Sequence, residues 1–430
     1  MAISGRLVIF VAVGSLAVIL YPHASTILWW LLLSVMVMTI DLLAAAPLRR
    51  VEVERGLPAN VRLGEWCEST LTITNRGRRT IRAAVREGWQ PSAGANGLPS
   101  RLTIPPAETR RVRSVLRPVR RGDLHVHHVT LRSFGPLGLA SRQLTMRMPA
   151  TLRVLPAFHS KRHLPSKLRK LRELNGSAAV QLRGAGTEFD SLRDYVRGDD
   201  VRSIDWRATA RRRETVVRTW RPERDRRVII VLDTSRTSAV RIQDEPRLDT
   251  GIEASLLLAV LARHGGDRVD FLAFDRRLRA RVESEAKGNQ LSELVNAMAP
   301  LEPELIEADW TGVPRQIHQV SSHRSLVVLL TSLDAGAVEE GLLPVLPSLT
   351  TKHMVVVAAV RDPELDLRRT QRNTAAETYR AAAAERALLD RAAVAARIRQ
   401  TGAEIVDETP HDLAPRLADM YIRLKAAGRL

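Results

Sequence analysis

The hydrophobic pattern changes character several times along the chain. Residues 7–21 and 25–40 are apolar runs without a charge, separated by Pro22-His23. From 51 to about 155 the pattern becomes short alternation of period two, as in Ser69-Thr70-Leu71-Thr72-Ile73-Thr74, with further runs at 110–116 and 126–131. Asn75-Arg76-Gly77, Glu87-Gly88 and Arg121-Gly122-Asp123 supply the turns. A stretch of about 100 residues of this kind predicts a small antiparallel sandwich. Residues 153–172 hold seven Lys or Arg and no acid, a basic linker helix that suits either an anionic leaflet or open solvent. Beyond 226 the pattern predicts strands at 228–232, 269–274, 326–330, 354–360 and 404–406. Helices are predicted at 252–264, 290–298, 338–346, 374–399 and 412–426. That alternation implies a mostly parallel sheet covered on both faces.

The apolar runs set the compartment. A span needs about 20 residues, and Arg6 and Arg49-Arg50 flank the pair on its outer sides. Positive charge at both outer ends predicts a transmembrane hairpin with both termini and the bulk of the chain in the cytoplasm. A cleaved signal peptide fits less well, because no small-x-small site follows Leu20 and a second apolar run begins at once. Asp41, near the end of the second run, reads as an interfacial residue.

The expected segments are a transmembrane hairpin (1–48), an all-β sandwich (49–155), a basic linker with a charged block (156–226) and an α/β domain (227–430). At 45% hydrophobic residues the 430-residue chain has enough apolar content for real cores. One cysteine, Cys67, excludes an internal disulfide framework and any cysteine-rich zinc site. The formal charge of +19 suits an anionic lipid surface or nucleic acid. The apolar N-terminus favours lipid. His125 and His127 share a strand face, but no acid or cysteine nearby completes a metal site, so a wet strand face is expected.

Common enzyme signatures are missing: no phosphate-binding loop, no dinucleotide glycine fingerprint, no HExxH and no Gly-x-Ser-x-Gly. The best chemistry is the strand end Asp233-Thr234-Ser235-Arg236-Thr237. Its carboxylate and hydroxyls lie at the carboxyl edge of a sheet, where open α/β folds bind ligands. Hard oxygens suit Mg²⁺ or Mn²⁺, although Asp233 is equally able to cap backbone amides. This loop resembles the von Willebrand factor A (Rossmann-like) family's adhesion motif Asp-x-Ser-x-Ser, with Thr237 in the last place. The resemblance implies a metal held by Asp233, Ser235 and Thr237, with Thr311 and Asp334 from later loops. Thr331-Ser332 departs from that family's pattern by placing the acid at Asp334.

The block Gly198-Asp199-x-x-Arg202-x-Ile204-Asp205-Trp206-x-x-Thr209-Ala210-Arg211, preceded by Arg193-Asp194-Tyr195, is more specific. It resembles the signature of the domain-of-unknown-function 58 family. Ser133-Phe134-Gly135-Pro136-Leu137-Gly138-Leu139 is similar to another element of that family. The resemblance implies partnership with a MoxR-type AAA+ ATPase. Read from the residues alone, the block is a structural clamp or a partner surface. A clamp would bury Trp206, at a cost of about 3–5 kcal/mol on truncation to alanine. The expected role is therefore non-enzymatic: a membrane-anchored adaptor for a MoxR-type ATPase, acting on envelope or other membrane proteins. A metal-dependent hydrolase and a nucleic-acid binder are the alternatives.

Overall fold

The computed structural model describes residues 2–181, 188–196, 199–212, 214–221, 226–284 and 290–430. Gly198 lies outside them. The chain forms two compact units, Met1–Leu155 and Pro156–Leu430.

The first unit begins with two apolar helices, Gly5–Leu20 and Ala24–Ala44. Only the second, at 21 residues, is long and apolar enough to cross a membrane among the described residues. At 1.5 Å per residue it spans about 31 Å, close to a hydrocarbon core. The first has 16 residues, so the expectation of two full spans is met by one candidate.

The helix end is fixed by a carboxylate. Asp41 is 1% exposed. Its Oδ1 accepts the Leu137 N–H at 2.8 Å, and its Oδ2 accepts those of Leu139 and Ala140 at 2.7 and 3.1 Å. The residue expected at an interface is instead the acceptor for a loop of the β-rich region. Gly135 is required there, because a Cβ would stand 2.2 Å from Asp41 Oδ1. Ser4 joins the same loop, its N–H donating to Leu139 O and its hydroxyl to Gly138 O.

Two sheets follow. The larger runs Ser100–Ile104, Ile81–Trp89, Gly122–Phe134, Ala140–Leu155 and Ala2–Ile3, with Asn60–Arg62 parallel to the long Ala140–Leu155 strand. The smaller holds Val51–Gly56, Cys67–Asn75 and Thr109–Leu116. Period-two alternation puts Leu71 and Ile73 of the smaller sheet into one core with Val129 and Leu131 of the larger. Within that interior the guanidinium of Arg55 meets Glu87 at 3.2 Å, and Ser69 donates to the same carboxylate oxygen.

The second unit is built on a six-stranded sheet. In chain order its strands are Arg227–Asp233, Arg268–Phe274, Leu278–Val282, Leu326–Thr331, Met354–Val360 and Glu404–Glu408. In space the order is third, second, first, fourth, fifth, sixth. All pairings are parallel except the edge strand Leu278–Val282. The four central strands are apolar at nearly every position because both faces are covered. Ile229 and Val231 share a core with Trp310, Val313 and Ile317 on one side, together with Val394 and Ile398. The opposite face carries helices Arg247–His264 and Pro410–Ala426.

From Pro156 onward, the basic stretch expected as a connector belongs to this unit. Its helix, Leu164–Gln181, buries Leu171 and sets Lys167 Nζ 2.6 Å from Asp419. The backbone N–H of Ser160 donates to Glu253. Folded side-chain partners therefore hold the start of the stretch.

Asp41 gives the fold its sharpest test. Hydrogen bonds to a charged group contribute about 1.5–3 kcal/mol each, and a stranded buried donor costs about 1–3 kcal/mol. Asp41→Ala strands three N–H groups, so it should lower stability by roughly 3 kcal/mol or more. Thermal unfolding of the full chain in detergent, beside the exposed cap variant Asp362→Ala, reads this difference. Equal midpoints would show that the loop holds without the carboxylate.

Candidate functional site

The sheet order reverses between strands Arg227–Asp233 and Leu326–Thr331, the place where open α/β sheets leave a crevice at their carboxyl ends. Asp233 and Thr331 meet there. Asp233 is 2% exposed, and every one of its oxygens is engaged. Oδ1 accepts the N–H of Ser235 at 2.8 Å, while Oδ2 accepts the hydroxyls of Thr331 at 2.6 Å and Thr237 at 3.1 Å. The main-chain carbonyl accepts Ser238 Oγ at 2.7 Å. Ser235 Oγ lies 3.2 Å from Thr237 Oγ1. The loop is therefore wound around its own carboxylate.

The structure brings Asp233, Ser235 and Thr237 together as expected, and adds Thr331. The later-loop residues differ. Asp334 faces the buried Arg247, whose Nη1 lies 3.2 Å from Asp334 Oδ2 and donates to the Thr237 carbonyl at 2.8 Å. Its charge is thus opposed by a guanidinium. Thr311 gives its hydroxyl to Asp309 Oδ1 at 2.5 Å on its own turn. Ser332 Oγ is buried without a partner among the described residues. Among those residues no three of His, Cys, Asp or Glu converge to hold a metal.

Beside this loop, Thr234 donates to Asp275 at 3.1 Å. Burial alone would raise the Asp275 carboxyl. The bonds from Arg279, Arg277, Arg276 and Thr234 outweigh it and hold the group below the usual carboxylate range. Arg279 reaches on to Glu304 at 2.8 Å. The Thr237 hydroxyl donates to the Asp233 carboxylate at 3.1 Å, and the Ser235 hydroxyl lies beside that of Thr237.

The charged block folds into a small unit of its own. Strands Glu188–Asp194 and Val216–Arg221 pair antiparallel, and between them lie the turn Val201–Ser203 and the helix Trp206–Arg212. Each aspartate of the signature has a structural task. Asp199 takes Arg193 at 2.6 Å and the Val196 N–H at 2.9 Å, and its carboxyl is lowered first by that arginine. Asp200 caps the turn through Arg202 N–H. Asp205 caps the helix through the N–H groups of Arg207 and Ala208 and takes Arg218 at 2.8 Å. Its carboxyl is lowered first by Ala208, then by Arg218. Thr209 Oγ1 accepts the Val216 N–H.

What remains faces outward. Trp206 is 68% exposed, Val196 62%, Val201 61% and Tyr195 36%. A clamp formed by burying Trp206 is not what the structure shows: the aspartates hold the block together, and the aromatic lies on its surface. Arg202 and Arg211 are exposed, and Asp194 contributes a backbone acceptor to Arg193. Aspartate directly ahead of a turn or helix is the sequence signal for such caps; the exposure of Trp206 leaves no sequence signal.

Opposite responses follow for neighbouring residues. Asp205→Ala should lower the unfolding midpoint of the full chain, since it removes a helix cap and an ion pair together. Trp206→Ala should leave the midpoint unchanged, as an exposed substitution away from packing does. A large drop for Trp206→Ala, measured by thermal unfolding, would restore the clamp.

Relatives carry little functional description. The uncharacterized protein YeaD of Bacillus subtilis is 25% identical over 238 residues, covering 52% of this chain and 56% of that one. The uncharacterized proteins Rv1480 of Mycobacterium tuberculosis and Mb1516 of Mycobacterium bovis are 23% identical over 192 residues, covering 44% of this chain and 60% of theirs. The matches thus span little more than half the length of these curated relatives. Among solved structures, alpha-2-macroglobulin from Escherichia coli, from domain MG7 to the C-terminus, matches 26% of this chain and 17% of that chain. Its identity is 18% and its TM-score 0.22. Residues 191–396, which hold most of the charged block and the Asp233 loop, match the family described as protein of unknown function DUF58.

Proposed function

We propose that the protein is a membrane-anchored adaptor that works with a MoxR-type AAA+ ATPase in assembling or maturing envelope or membrane-associated complexes. The observation that carries this reading is the outward face of the signature block. Its Asp199, Asp200 and Asp205 are consumed in caps and ion pairs, and Trp206, Val196 and Val201 are left exposed beside arginines. Exposed aromatics and arginines are the residues that dominate protein interfaces. The DUF58 match supports the family resemblance from which the ATPase partner is inferred.

The α/β unit is read as a von Willebrand A-like domain, supported by its strand order and the Asp-x-Ser-x-Thr strand end. Its oxygen set fits a hard cation. The hydroxyls of Thr237 and Thr331 point their hydrogens at Asp233, which leaves their lone pairs free for Mg²⁺ or Mn²⁺. Asp233, Ser235, Thr237 and Thr331 would hold the ion, and a partner carboxylate would complete it. Asp334 and Thr311, engaged by Arg247 and Asp309, stand outside that set.

The N-terminus is read as a two-helix membrane hairpin. Ser4 at one outer end and Asp41 at the other both bind the loop 137–140, which supports this reading. A 16-residue helix of about 24 Å requires local thinning of the bilayer. Reporter fusions after Gly56 and at Leu430 should both give cytoplasmic signals; an external signal at Leu430 would overturn the hairpin.

The adaptor reading is tested with the full chain in detergent. Titration calorimetry should show weak Mg²⁺ or Mn²⁺ binding that Asp233→Ala abolishes and Thr237→Ser retains. Capture of a MoxR-type ATPase from the same cells should fall on chelation, and fall also in Trp206→Ala. No ion uptake at millimolar concentration, with capture intact, would remove the metal and keep the adaptor. Capture indifferent to Trp206 and to the metal, with salt-sensitive binding to nucleic acid, would replace it.

A further inference from the structure

We propose that the first unit carries a binding site for the phosphate of an anionic phospholipid headgroup, formed by Arg6, Arg49, Arg50, Arg79 and Arg142 at the exit of helix Ala24–Ala44. The site rests on the reading of that helix as a membrane span and names the lipid it would select. Arg142 Nε donates to Leu42 O and Arg79 Nη1 to Leu43 O, both at 3.1 Å, so two guanidinium groups are pinned to the carbonyl end of the helix. Arg6 Nη1 lies 3.4 Å from Leu137 O in the loop that Asp41 secures. Arg49 and Arg50 follow in the turn Leu48–Arg50 and are exposed.

Depth and charge both point to a headgroup. The helix is about as long as a hydrocarbon core is thick, so its carbonyl end lies at the lipid phosphates. Asp41 fixes the loop to that end, so these arginines stay at this depth. None of the five pairs with an acid among the described residues, whereas Arg76 and Arg113 of the same unit meet Glu52 and Glu68. A guanidinium has five N–H donors. Those bound to one carbonyl keep the rest for phosphate oxygens, where charge-assisted bonds are strongest. The basic stretch 153–172, the obvious leaflet candidate in sequence, is partly committed to Asp419 and Glu253.

The test uses the full chain in lipid discs of phosphatidylcholine and phosphatidylglycerol. Spin-labelled lipids report which headgroup the protein retains. The wild type should prefer phosphatidylglycerol, and Arg79→Gln/Arg142→Gln should weaken the preference by about fivefold for each guanidinium removed. Arg49→Gln/Arg50→Gln should weaken it similarly while leaving the helix carbonyl bonds intact, which separates lipid binding from folding. Lysine at positions 49 and 50, which keeps the charge of the exposed pair, should restore it. A wild type that resides in the discs without preferring phosphatidylglycerol overturns the lipid site and leaves the anchor standing. Release of the wild type from vesicles by alkaline washing overturns the anchor itself. Saturable uptake of inorganic phosphate by protein in pure phosphatidylcholine discs would reassign the arginines to a free anion.

Discussion

A carboxylate removed from water must be given donors, because an uncompensated buried charge costs several kcal/mol. Both units are organised by that requirement. Asp41 is buried near the end of the apolar helix Ala24–Ala44 and is answered by three backbone N–H groups of one loop. Asp233 is buried at the end of a central strand and is answered by one N–H and two hydroxyls. The donors to Asp41 all lie about a hundred residues further along the chain, and those to Asp233 come both from the loop nearby and from the distant Thr331. The acid therefore fixes the path of a loop that hydrophobic packing alone would leave undetermined.

The regular elements were legible because burial on two faces leaves a pattern. The runs at 228–232, 326–330 and 354–360 are apolar at consecutive positions, and the structure extends each of them by no more than a residue at either end. The edge strand Leu278–Val282 was not legible. Its residues Arg279 and Arg281 alternate with apolar ones at a half-covered edge, and its antiparallel pairing is made by a tight turn after Phe274. The hairpin of Glu188–Asp194 and Val216–Arg221 was missed for a related reason: charged residues interrupt both strands, and neither shows a clean alternation.

The site was legible where it is local in sequence. Asp233, Ser235 and Thr237 lie within five residues, so strand termination and side-chain chemistry place them together. Thr331 is a partner only because the fourth strand pairs with the first, an adjacency set by the sheet order. Asp334 was expected among the metal ligands, and the structure sets it instead against Arg247, brought over by the helix that starts there. Trp206 shows the limit most clearly. A tryptophan among paired charges reads as a buried clamp, yet short aspartates cap the turns and the helix around it and the Trp206 ring stays on the surface.

The same accounting explains where the charge of +19 resides. Many acids are used inward or in fixed pairs, as with Asp267 beside Lys425, Asp407 beside Arg391 and Glu87 beside Arg55. Each such pair consumes an arginine or lysine as well as an acid, so pairing leaves the surplus of 19 unchanged and transfers it to the surface. A basic surface attracts every anion alike and specifies none. Selectivity arises where the guanidinium is held in place. Arg142 and Arg79 are held by helix carbonyls, Arg247 by Asp334 and the Thr237 carbonyl, and Arg218 by Asp205. A few backbone oxygens and buried acids thus decide which arginines have a defined geometry.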